Sequence, residues 1–371
     1  MSEQRTQHNV QKLRRWLLAT ASALALAGSI LNVVDAADVD ADHPVLWIEI
    51  GGQLTRMDDQ SQRLAPPFFT SLTHAGFDSP IPFEKAPLYS IDENGKVSFQ
   101  PSDSGWILSA SIRYGRNGKN VDNHQQTNNL FGYLNIHNPS GARHRYENVS
   151  ASSSETHEIL DFTIGKDVGL GVFGSAGSSI LGGGIRFAQF HYKSSVAVYA
   201  DPDYTWTQVS GPPQKYFHNY DAKAKNRMSF TGVGPSLSWD ASVPLHGNIQ
   251  NGQITFDWGL NGAVLFGRQK SQGFNEAKGV LDTGVNISFL NLFYHTTHYT
   301  RPHSHSRSRM VTVPNIGAMA GISFRYGAAK ISLGYNADLF FGAMDGGIDT
   351  ARKENVGFYG PFAAISVGLG G

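Results

Sequence analysis

The sequence lacks cysteine altogether, and its 30 basic residues are balanced by 30 acidic residues in a chain of 371. Without cysteine there is no disulfide framework and no thiolate metal site. The balanced charge gives no overall excess of basic residues of the kind that nucleic-acid-binding proteins carry, so we expect no nucleic-acid partner. Beyond the N-terminal region, no stretch approaches the roughly 18 consecutive apolar residues of a membrane-spanning helix.

The N-terminus has the pattern of an export signal. A positive region containing Lys12, Arg14 and Arg15 precedes an apolar run over residues 16–27, and residues 34–36 resemble a cleavage site. We therefore expect cleavage after Ala36 or Ala37. Two alternatives stay open: a retained signal anchor, because weak apolar character continues beyond the run, and twin-arginine export.

Residues 253–267 carry the clearest structural pattern in the chain. Successive side chains of a strand point to opposite faces, and here every second residue is apolar or small. The segment therefore has one apolar, aromatic face and one small or polar face. Its apolar face consists of Ile254, Phe256, Trp258, Leu260, Gly262, Val264 and Phe266.

The same alternation recurs along the chain, which favours a large all-β unit. It is clear at residues 45–54, 106–115, 233–243, 316–326, 330–341 and 359–369, and weaker at 157–165 and 179–191. The second face of these segments is rich in glycine, serine and alanine and holds few charges of both signs. A soluble sandwich would carry many charges on that face, whereas a crowded barrel lumen suits this composition. The candidate lumen-lining residues are Glu49, Arg113, Asp161, Arg186, Asp240, Asp257, Arg325, Lys330 and Asp338.

The lengths of the connections alternate. The short ones are residues 166–178, 244–252 and 327–329, and the long ones are 56–80, 116–156, 193–226, 268–310 and 343–357. Consistent alternation requires one more strand near residues 81–92, followed by a hairpin turn at Asp92–Gly95, because Asn-Gly is a strong turn signal. The predicted total is ten strands.

With these features the chain resembles a Gram-negative outer-membrane β-barrel protein of the porin-like or major-outer-membrane-protein type. The resemblance covers residues 45–369 and rests on the export signal, the alternating strands, the run at residues 230–235 and the closing strand. It implies an antiparallel transmembrane β-barrel of about ten strands, within a range of 8–14. Long extracellular loops and short periplasmic turns are part of the same expectation.

The resemblance also divides the chain and names its partners. The expected parts are a signal peptide (1–36), a short N-terminal periplasmic segment (37–44) and the transmembrane barrel (45–371). The implied partners are outer-membrane lipid and lipopolysaccharide, small hydrophilic solutes and the outer-membrane insertion machinery. One departure concerns the last of these: many such barrels end in an aromatic residue, whereas this chain ends in Gly370-Gly371. Phe358, Tyr359 or Phe362 are the alternative insertion signals.

We expect the barrel to act as a porin-like channel for small hydrophilic solutes, without a cofactor. The alternative is a non-conducting structural or surface-recognition barrel that acts through its extracellular loops. The sequence has neither a Gly-x-Ser-x-Gly elbow nor a His-Glu-x-x-His motif, so we do not expect an enzyme. His157, Glu158 and Asp161 have a suggestive spacing, but hydrogen bonding in the lumen explains them more simply.

Residues 294–309 are rich in histidine and arginine. Imidazole is a good ligand for zinc, copper and nickel, which makes the four histidines weak candidates for a metal site. A solvated extracellular loop is the favoured interpretation, because metal binding needs a rigid support. Its arginines would then pair with lipopolysaccharide phosphate or with neighbouring loops. The four histidines are His295, His298, His303 and His305.

Overall fold

The protein is described by a computed structural model, which is all-β over its described residues. These are residues 45–57, 88–102, 104–128, 144–168, 177–200, 204–207, 214–287, 290–347 and 351–369. The expected signal peptide and the segment at 37–44 lie outside them. No helix in the described ranges has the length and apolar character needed to cross a membrane.

The described residues form eleven strands, and ten of them close into one antiparallel barrel. The sheet order is β5-β4-β3-β2-β1-β11-β10-β9-β8-β7, and pairing of β5 with β7 completes the circle. Strand β6 pairs only with β7. The ten-stranded barrel predicted from the sequence is therefore confirmed. The strands are β1 (Val45–Met57), β2 (Leu88–Gln100), β3 (Trp106–Asn128), β4 (His144–Asp167), β5 (Ser178–Ala200), β6 (Tyr204–Thr207), β7 (Gln214–Asn248), β8 (Gly252–Ile287), β9 (Leu290–Tyr326), β10 (Ala329–Asp345) and β11 (Lys353–Leu369).

One end of the barrel, here called the turn end, carries four short connections, of which the sequence predicts all but the first. They span residues 101–105, 168–177, 249–251 and 327–328. Gly247 and Gly252 flank the third of these with φ values of 82° and 100°, a left-handed conformation that glycine adopts without steric cost. Tight turns at this end therefore fix the register of the hairpins that they join.

At the opposite end, here called the hairpin end, the structure has paired strands where the sequence predicts long loops. Strands β8 and β9 continue to Ile287 and Leu290 and remain paired along that length, so most of residues 268–310 is strand. The segments 116–156 and 193–226 are likewise largely strand. In β8 and β9 the sequence pattern misses the extensions because both of their faces are mostly polar, which removes the alternation by which strands are recognised.

The predicted hairpin turn at residues 92–95 is wrong. Strand β2 runs straight through this segment, where Gly95 pairs with Ile50 on one side and Ile112 on the other. The local turn preference of Asn94-Gly95 is overridden because β1 and β3 supply hydrogen-bond partners to both edges of β2. The connection to β3 lies instead at residues 101–105.

Outward-facing side chains are mostly apolar over a limited height of the barrel wall, a zone that we call the apolar belt. On β8 the apolar face runs from Ile254 to Phe266, as predicted, and then changes to Arg268 and Lys270. Leu237, at 70% exposure, shows how openly these side chains are displayed. Soluble monomers rarely expose apolar surface of this extent. Its highly exposed members include Ile91, Phe162, Leu237, Ile316, Leu333 and Ile365.

Two adjacent glycines on β5 differ in how closely the neighbouring strand approaches. A Cβ atom on Gly184 would lie 2.0 Å from the carbonyl oxygen of Phe162, which belongs to the backbone of β4. A Cβ atom on Gly183 would meet only the side chain of Leu237, at 3.7 Å. The close approach of β4 and β5 therefore requires glycine at position 184 but not at 183.

We expect Gly184→Ala to destabilise the barrel by about 1–3 kcal/mol, because the added methyl group forces the two strands apart. Gly183→Ala is the matched control and should leave stability within about 0.5 kcal/mol of the parent, since its methyl group meets only the Leu237 side chain, at an ordinary contact distance. Urea unfolding of both variants in lipid vesicles measures the difference. Equal unfolding midpoints would contradict the close approach at Gly184.

Candidate functional site in the barrel interior

The barrel interior has three levels, and the first is a polar cavity next to the turn end, here called the lower cavity. Its volume is about 490 Å³. Serine hydroxyls from five strands line it together with charged side chains and one indole ring. The charged and aromatic lining residues are Trp47, Glu49, Lys96, Asp240, Arg325 and Lys330.

Hydrogen bonds hold several of the charged groups of the lower cavity against its wall. Lys330 Nζ lies 2.7 Å from Asp257 Oδ2, and the hydroxyl of Ser366 donates to Glu49 Oε2 over 2.8 Å. The guanidinium carbon of Arg325 lies 5.0 Å from the centroid of the Trp47 ring. The cavity thus offers separate positive and negative groups, with hydroxyls between them, to a small polar molecule.

The second level is a layer of buried ion pairs across the middle of the barrel, here called the ionic layer. Arg186 binds both carboxylate oxygens of Asp161, with Nε 2.7 Å from Oδ1 and Nη2 3.0 Å from Oδ2. Its Nη1 donates to the side-chain oxygens of Asn261 and Asn315. Such paired geometry is needed, because a buried charge without partners is strongly destabilising.

Arg113 and Asp338 form the second ion pair of the ionic layer, through Nη2 and Oδ2. Asp338 also lies 3.8 Å from Arg186, measured between Oδ1 and Nη1. The two arginines therefore share one buried carboxylate, although they come from β3 and β5, and Asp338 comes from β10. This network links the two sides of the barrel.

The third level, the apolar plug, fills the interior on the hairpin side of the ionic layer. Phe190, Phe230, Phe340 and Phe358 have no exposed surface. The ring centroid of Phe190 lies 4.7 Å from that of Phe340, 5.3 Å from that of Phe358 and 5.8 Å from that of Phe230. Further buried members include Met57, Ile159, Tyr192, Met228, Leu265, Val313, Met344 and Val356. These buried side chains pack against one another between the ionic layer and the hairpin end.

A fully buried imidazole sits against the apolar plug. His157 Nε2 lies 2.9 Å from Asp92 Oδ2, and its Nδ1 lies 2.8 Å from Glu155 Oε1. Asp92 also accepts hydrogen bonds from Thr55, at 2.5 Å, and from Ser90, at 2.7 Å. The imidazole centroid is 4.2 Å from that of the Phe358 ring in the plug. We call the side chains of His157, Asp92 and Glu155 the His157 cluster.

The His157 cluster replaces the grouping suggested by sequence spacing. Glu158 points to the outside of the barrel, and Asp161 pairs with Arg186 in the ionic layer, so neither contacts His157. Glu155 was detectable, because it lies two residues before His157 and so shares its face of the strand. Asp92 was not, because 65 residues separate it from His157 in the chain.

On β4, His157 and Glu155 lie above the apolar belt, since Thr156 and Glu158, the outward neighbours of His157, are polar. Burial lowers the pKa of His157, but its hydrogen bonds and charge contacts with Asp92 and Glu155 outweigh this, and the net pKa is raised. Burial raises the pKa of Glu155, opposed by His157. The cluster is closed to solvent and is built to hold the plug together.

A further polar group lies near the hairpin end and includes one of the candidate metal ligands. Ser271 Oγ is 3.2 Å from His305 Nε2, and it donates to the backbone carbonyl of Asp345 over 3.0 Å. Arg307 Nε donates to Asp345 Oδ2 over 3.0 Å. Burial raises the pKa of Asp345, but hydrogen bonds from Arg307 and from backbone N–H groups outweigh this and lower it.

The histidine-rich segment is therefore part of the barrel wall. His305 and Arg307 point inward from β9 instead of lying in a solvated loop. The side chains of His295, His298 and His303 lie outside the described residues. In the part of the chain that the structure describes, no group of three or more His, Asp or Glu side chains is arranged so that it could hold a metal ion.

The structure places all nine predicted lumen residues on the inner side of the wall. Glu49, Asp240, Arg325 and Lys330 line the lower cavity, and Asp257 pairs with Lys330. The other four, which are Arg113, Asp161, Arg186 and Asp338, form the ionic layer. That any of them contacts a solute stays a prediction. Sequence reasoning missed Lys96 in the cavity and the phenylalanines of the plug.

No protein-family model and no curated protein matches the chain. Among solved structures, the translocator domain of autotransporter NalP from Neisseria meningitidis is 12% identical, with 94% of this chain and 96% of that chain covered and a TM-score of 0.26. The outer membrane protease OmpT from Escherichia coli is 12% identical, with 90% and 100% covered and a TM-score of 0.33.

A TodX deltaS2S3 mutant, a monoaromatic hydrocarbon channel, is 9% identical, with 88% of this chain and 90% of that chain covered and a TM-score of 0.21. The barrel architecture of the present chain follows from its own strand pairing. The three similar structures differ in activity, and at these identities and TM-scores they transfer none to it.

The raised pKa values of His157 and Glu155 predict a pH dependence of stability. A raised pKa contributes stability that is complete below the unfolded value, 6.5 for His157, and is lost as the pH rises through the folded value. The unfolding midpoint should therefore fall as the pH rises above about 6.5. His157→Gln should destabilise the barrel by about 3 kcal/mol at lower pH and flatten this dependence.

His191→Gln is the control for the pH measurement. His191 points outward, and burial together with the charge of Lys193 lowers its pKa. Its removal should leave the loss of stability above pH 6.5 unchanged, which unfolding at a series of pH values measures. If His157→Gln lost stability above pH 6.5 as steeply as the parent, that result would contradict the role given to the His157 cluster.

Proposed function

We propose that the chain is an outer-membrane β-barrel that spans the bilayer at its apolar belt and is closed across its lumen in the resting state. A closed barrel is one of only two structures that pair every backbone polar group within lipid. The exposed apolar side chains of the belt match a hydrocarbon environment and suit no aqueous one. Export through residues 1–36 and assembly by the insertion machinery belong to the same proposal.

The edge of the belt at the turn end supports this placement. Trp106 and Tyr326 are exposed there, and aromatic residues of this kind line the interfaces of membrane barrels. The ammonium group of Lys166 lies 5.7 Å from the centroid of the Trp106 ring, where it would meet lipid headgroups. Under this proposal the turn end faces the periplasm and the hairpin end faces the cell exterior.

The apolar plug carries the functional conclusion. Four phenylalanines without exposed surface fill the lumen above the ionic layer, so a hydrated solute has no path through the described interior. The chain instead extends β8 and β9 far beyond the belt. We therefore propose a non-conducting barrel that presents its long paired hairpins for structure or recognition at the cell surface. The buried polar clusters bond within themselves, and we assign them no catalytic role.

A passive channel for small hydrophilic solutes is the second candidate function. The lower cavity favours it, because its volume of about 490 Å³ and its serine and charged lining suit hydrated solutes. Passage would require displacement of the apolar plug and rearrangement of the ionic layer. The two candidates therefore differ in one measurable property, the conductance of the resting barrel.

We expect the full chain, reconstituted in planar bilayers, to give no discrete conductance steps. Combining Phe190→Ala with Phe358→Ala should produce steps or increased current noise, because the two truncations remove rings from the plug. The matched control combines Phe162→Ala with Phe266→Ala, which removes the same groups from the outer face. Regular steps from the unmodified chain would overturn the closed state and favour the channel.

A substitution in the belt tests membrane insertion independently. Leu260→Arg places a charge on the outward face of β8 and should destabilise the barrel by about 2–4 kcal/mol if the residue lies at mid-bilayer. Ser304→Arg is the control, since Ser304 also faces outward, opposite Phe274 of β8, but lies above the belt. Urea unfolding in phospholipid vesicles compares the two variants. Equal tolerance of arginine at both positions is the result that would count against a membrane-spanning belt.

A further inference from the structure

Five cations form a single outward patch directly above the apolar belt, which we call the basic wall. They are exposed on three adjacent strands, β5, β7 and β8. On β8 the change is immediate, from Val264 and Phe266 in the belt to the first two cations. The basic wall consists of Lys193, Lys225, Arg227, Arg268 and Lys270.

The strand register brings like charges of the basic wall together. Lys193 lies directly opposite Arg227 across the β5–β7 pair, and Lys225 is the next outward residue from Arg227 on β7. Lys270 pairs with Ser229, which places it diagonally next to Arg227. Like charges directly opposite each other destabilise a sheet, so this arrangement calls for a counter-ion.

The described neighbours of the basic wall supply no such counter-ion. The cross-strand partners of its members on β4, β8 and β9 are uncharged: Ser154, Gln272, Phe274, Ser308 and Met310. Arg268 Nε donates to the hydroxyl of Ser308 over 2.7 Å, a neutral partner. Within the described ranges, no carboxylate lies within ion-pair distance of these five cations.

Nearby cations outside the basic wall have carboxylate partners, so the lack of such partners is specific to this patch. Farther from the belt, Lys223 pairs with Asp221 at 3.5 Å and Lys278 pairs with Glu276 at 3.4 Å. On the neighbouring strands β4 and β3, outward charges at the upper belt edge have both signs, with Glu158 on β4 and Arg116 on β3. Among the described residues at the upper belt edge, the basic wall gathers five unpaired cations and no carboxylate.

We propose that the basic wall binds the phosphate groups of an anionic lipid in the outer leaflet. The inference rests on the proposed membrane placement, which puts these cations at the height of lipid headgroups while the belt below contacts the acyl chains. Lysine and arginine near a membrane surface attract anionic lipid, and guanidinium binds phosphate through two hydrogen bonds. A bound phosphate would also relieve the repulsion between Lys193 and Arg227.

The basic wall and the arginines of the predicted extracellular loop are different residues. The sequence predicts that the arginines of residues 294–309 pair with lipopolysaccharide phosphate or with neighbouring loops. However, Arg307 binds Asp345 and Arg309 Nε donates to Gln269 Oε1 over 2.6 Å, both inside the barrel wall. Four of the five cations, all except Arg227, lie in segments that the sequence pattern assigns to loops. The register of their strands, and not their local sequence, makes the patch.

The test measures lipid binding to the full chain, folded in detergent micelles, by native mass spectrometry. The probes are diphosphoryl lipid A, the same lipid without its phosphates, and inorganic phosphate. We expect retention of the diphosphoryl lipid and little retention of the dephosphorylated one. Combining Lys193→Gln with Arg227→Gln should weaken binding of the diphosphoryl lipid by roughly tenfold or more.

The matched control combines Lys223→Gln with Lys278→Gln, which removes the same amount of charge from paired lysines and should retain the lipid. The basic-wall variant should also unfold at an equal or higher urea concentration without lipid, because it relieves repulsion. Equal retention of the dephosphorylated lipid by the unmodified chain would overturn the proposal without any variant. So would full displacement by millimolar inorganic phosphate, which indicates a free-phosphate site. If Leu260→Arg destabilises the barrel as expected but lipid A is not retained, this inference fails and the membrane placement stands.

Discussion

Pairing of the backbone around a complete circle is the constraint on which the other features of this barrel depend. Each of the ten wall strands has a hydrogen-bonded neighbour on both sides, and the pairings of β1 with β11 and β5 with β7 leave no free edge at the height of the apolar belt. Only then can the outer face be apolar, because no backbone group remains that needs water. Closure also fixes the register of every strand, and the register decides which inward side chains meet.

The interior follows from that enclosure. Side chains that point into a narrow barrel are removed from bulk water, so the charged ones need partners and the apolar ones pack. Arg186 is paired with Asp161 and two asparagines. The apolar side chains of the plug pack around Phe190. The His157 cluster joins the two kinds of interior, since its imidazole contacts both carboxylates and the ring of Phe358. The result is a lumen with a polar cavity at one end and a seal above it.

The predictions succeed where one face of a strand has a distinct environment. Residues 253–267 alternate because one face is apolar and the other is enclosed, and their strand assignment and facing were correct. Prediction fails where that contrast is absent. The extensions of β8 and β9 beyond Phe266 are polar on both faces, so they read as loops, although backbone pairing holds them as strands. At Asn94-Gly95 a local turn signal is overruled by neighbours on both sides, which no local pattern reveals.

The sequence by itself determined the strand periodicity, the ten-stranded barrel, the short turns and the inward facing of nine charged residues. These properties depend on neighbours two residues apart, and the alternation records them directly. The tertiary structure alone decided which charges meet, whether the lumen is open and where positive charge gathers outside. Each of these depends on residues far apart in the chain, such as Arg113 and Asp338, which are separated by 225 positions. The physical reason is the closed register, which brings ten strands into fixed alignment and so converts separate residues into a seal, an ionic layer and a basic wall.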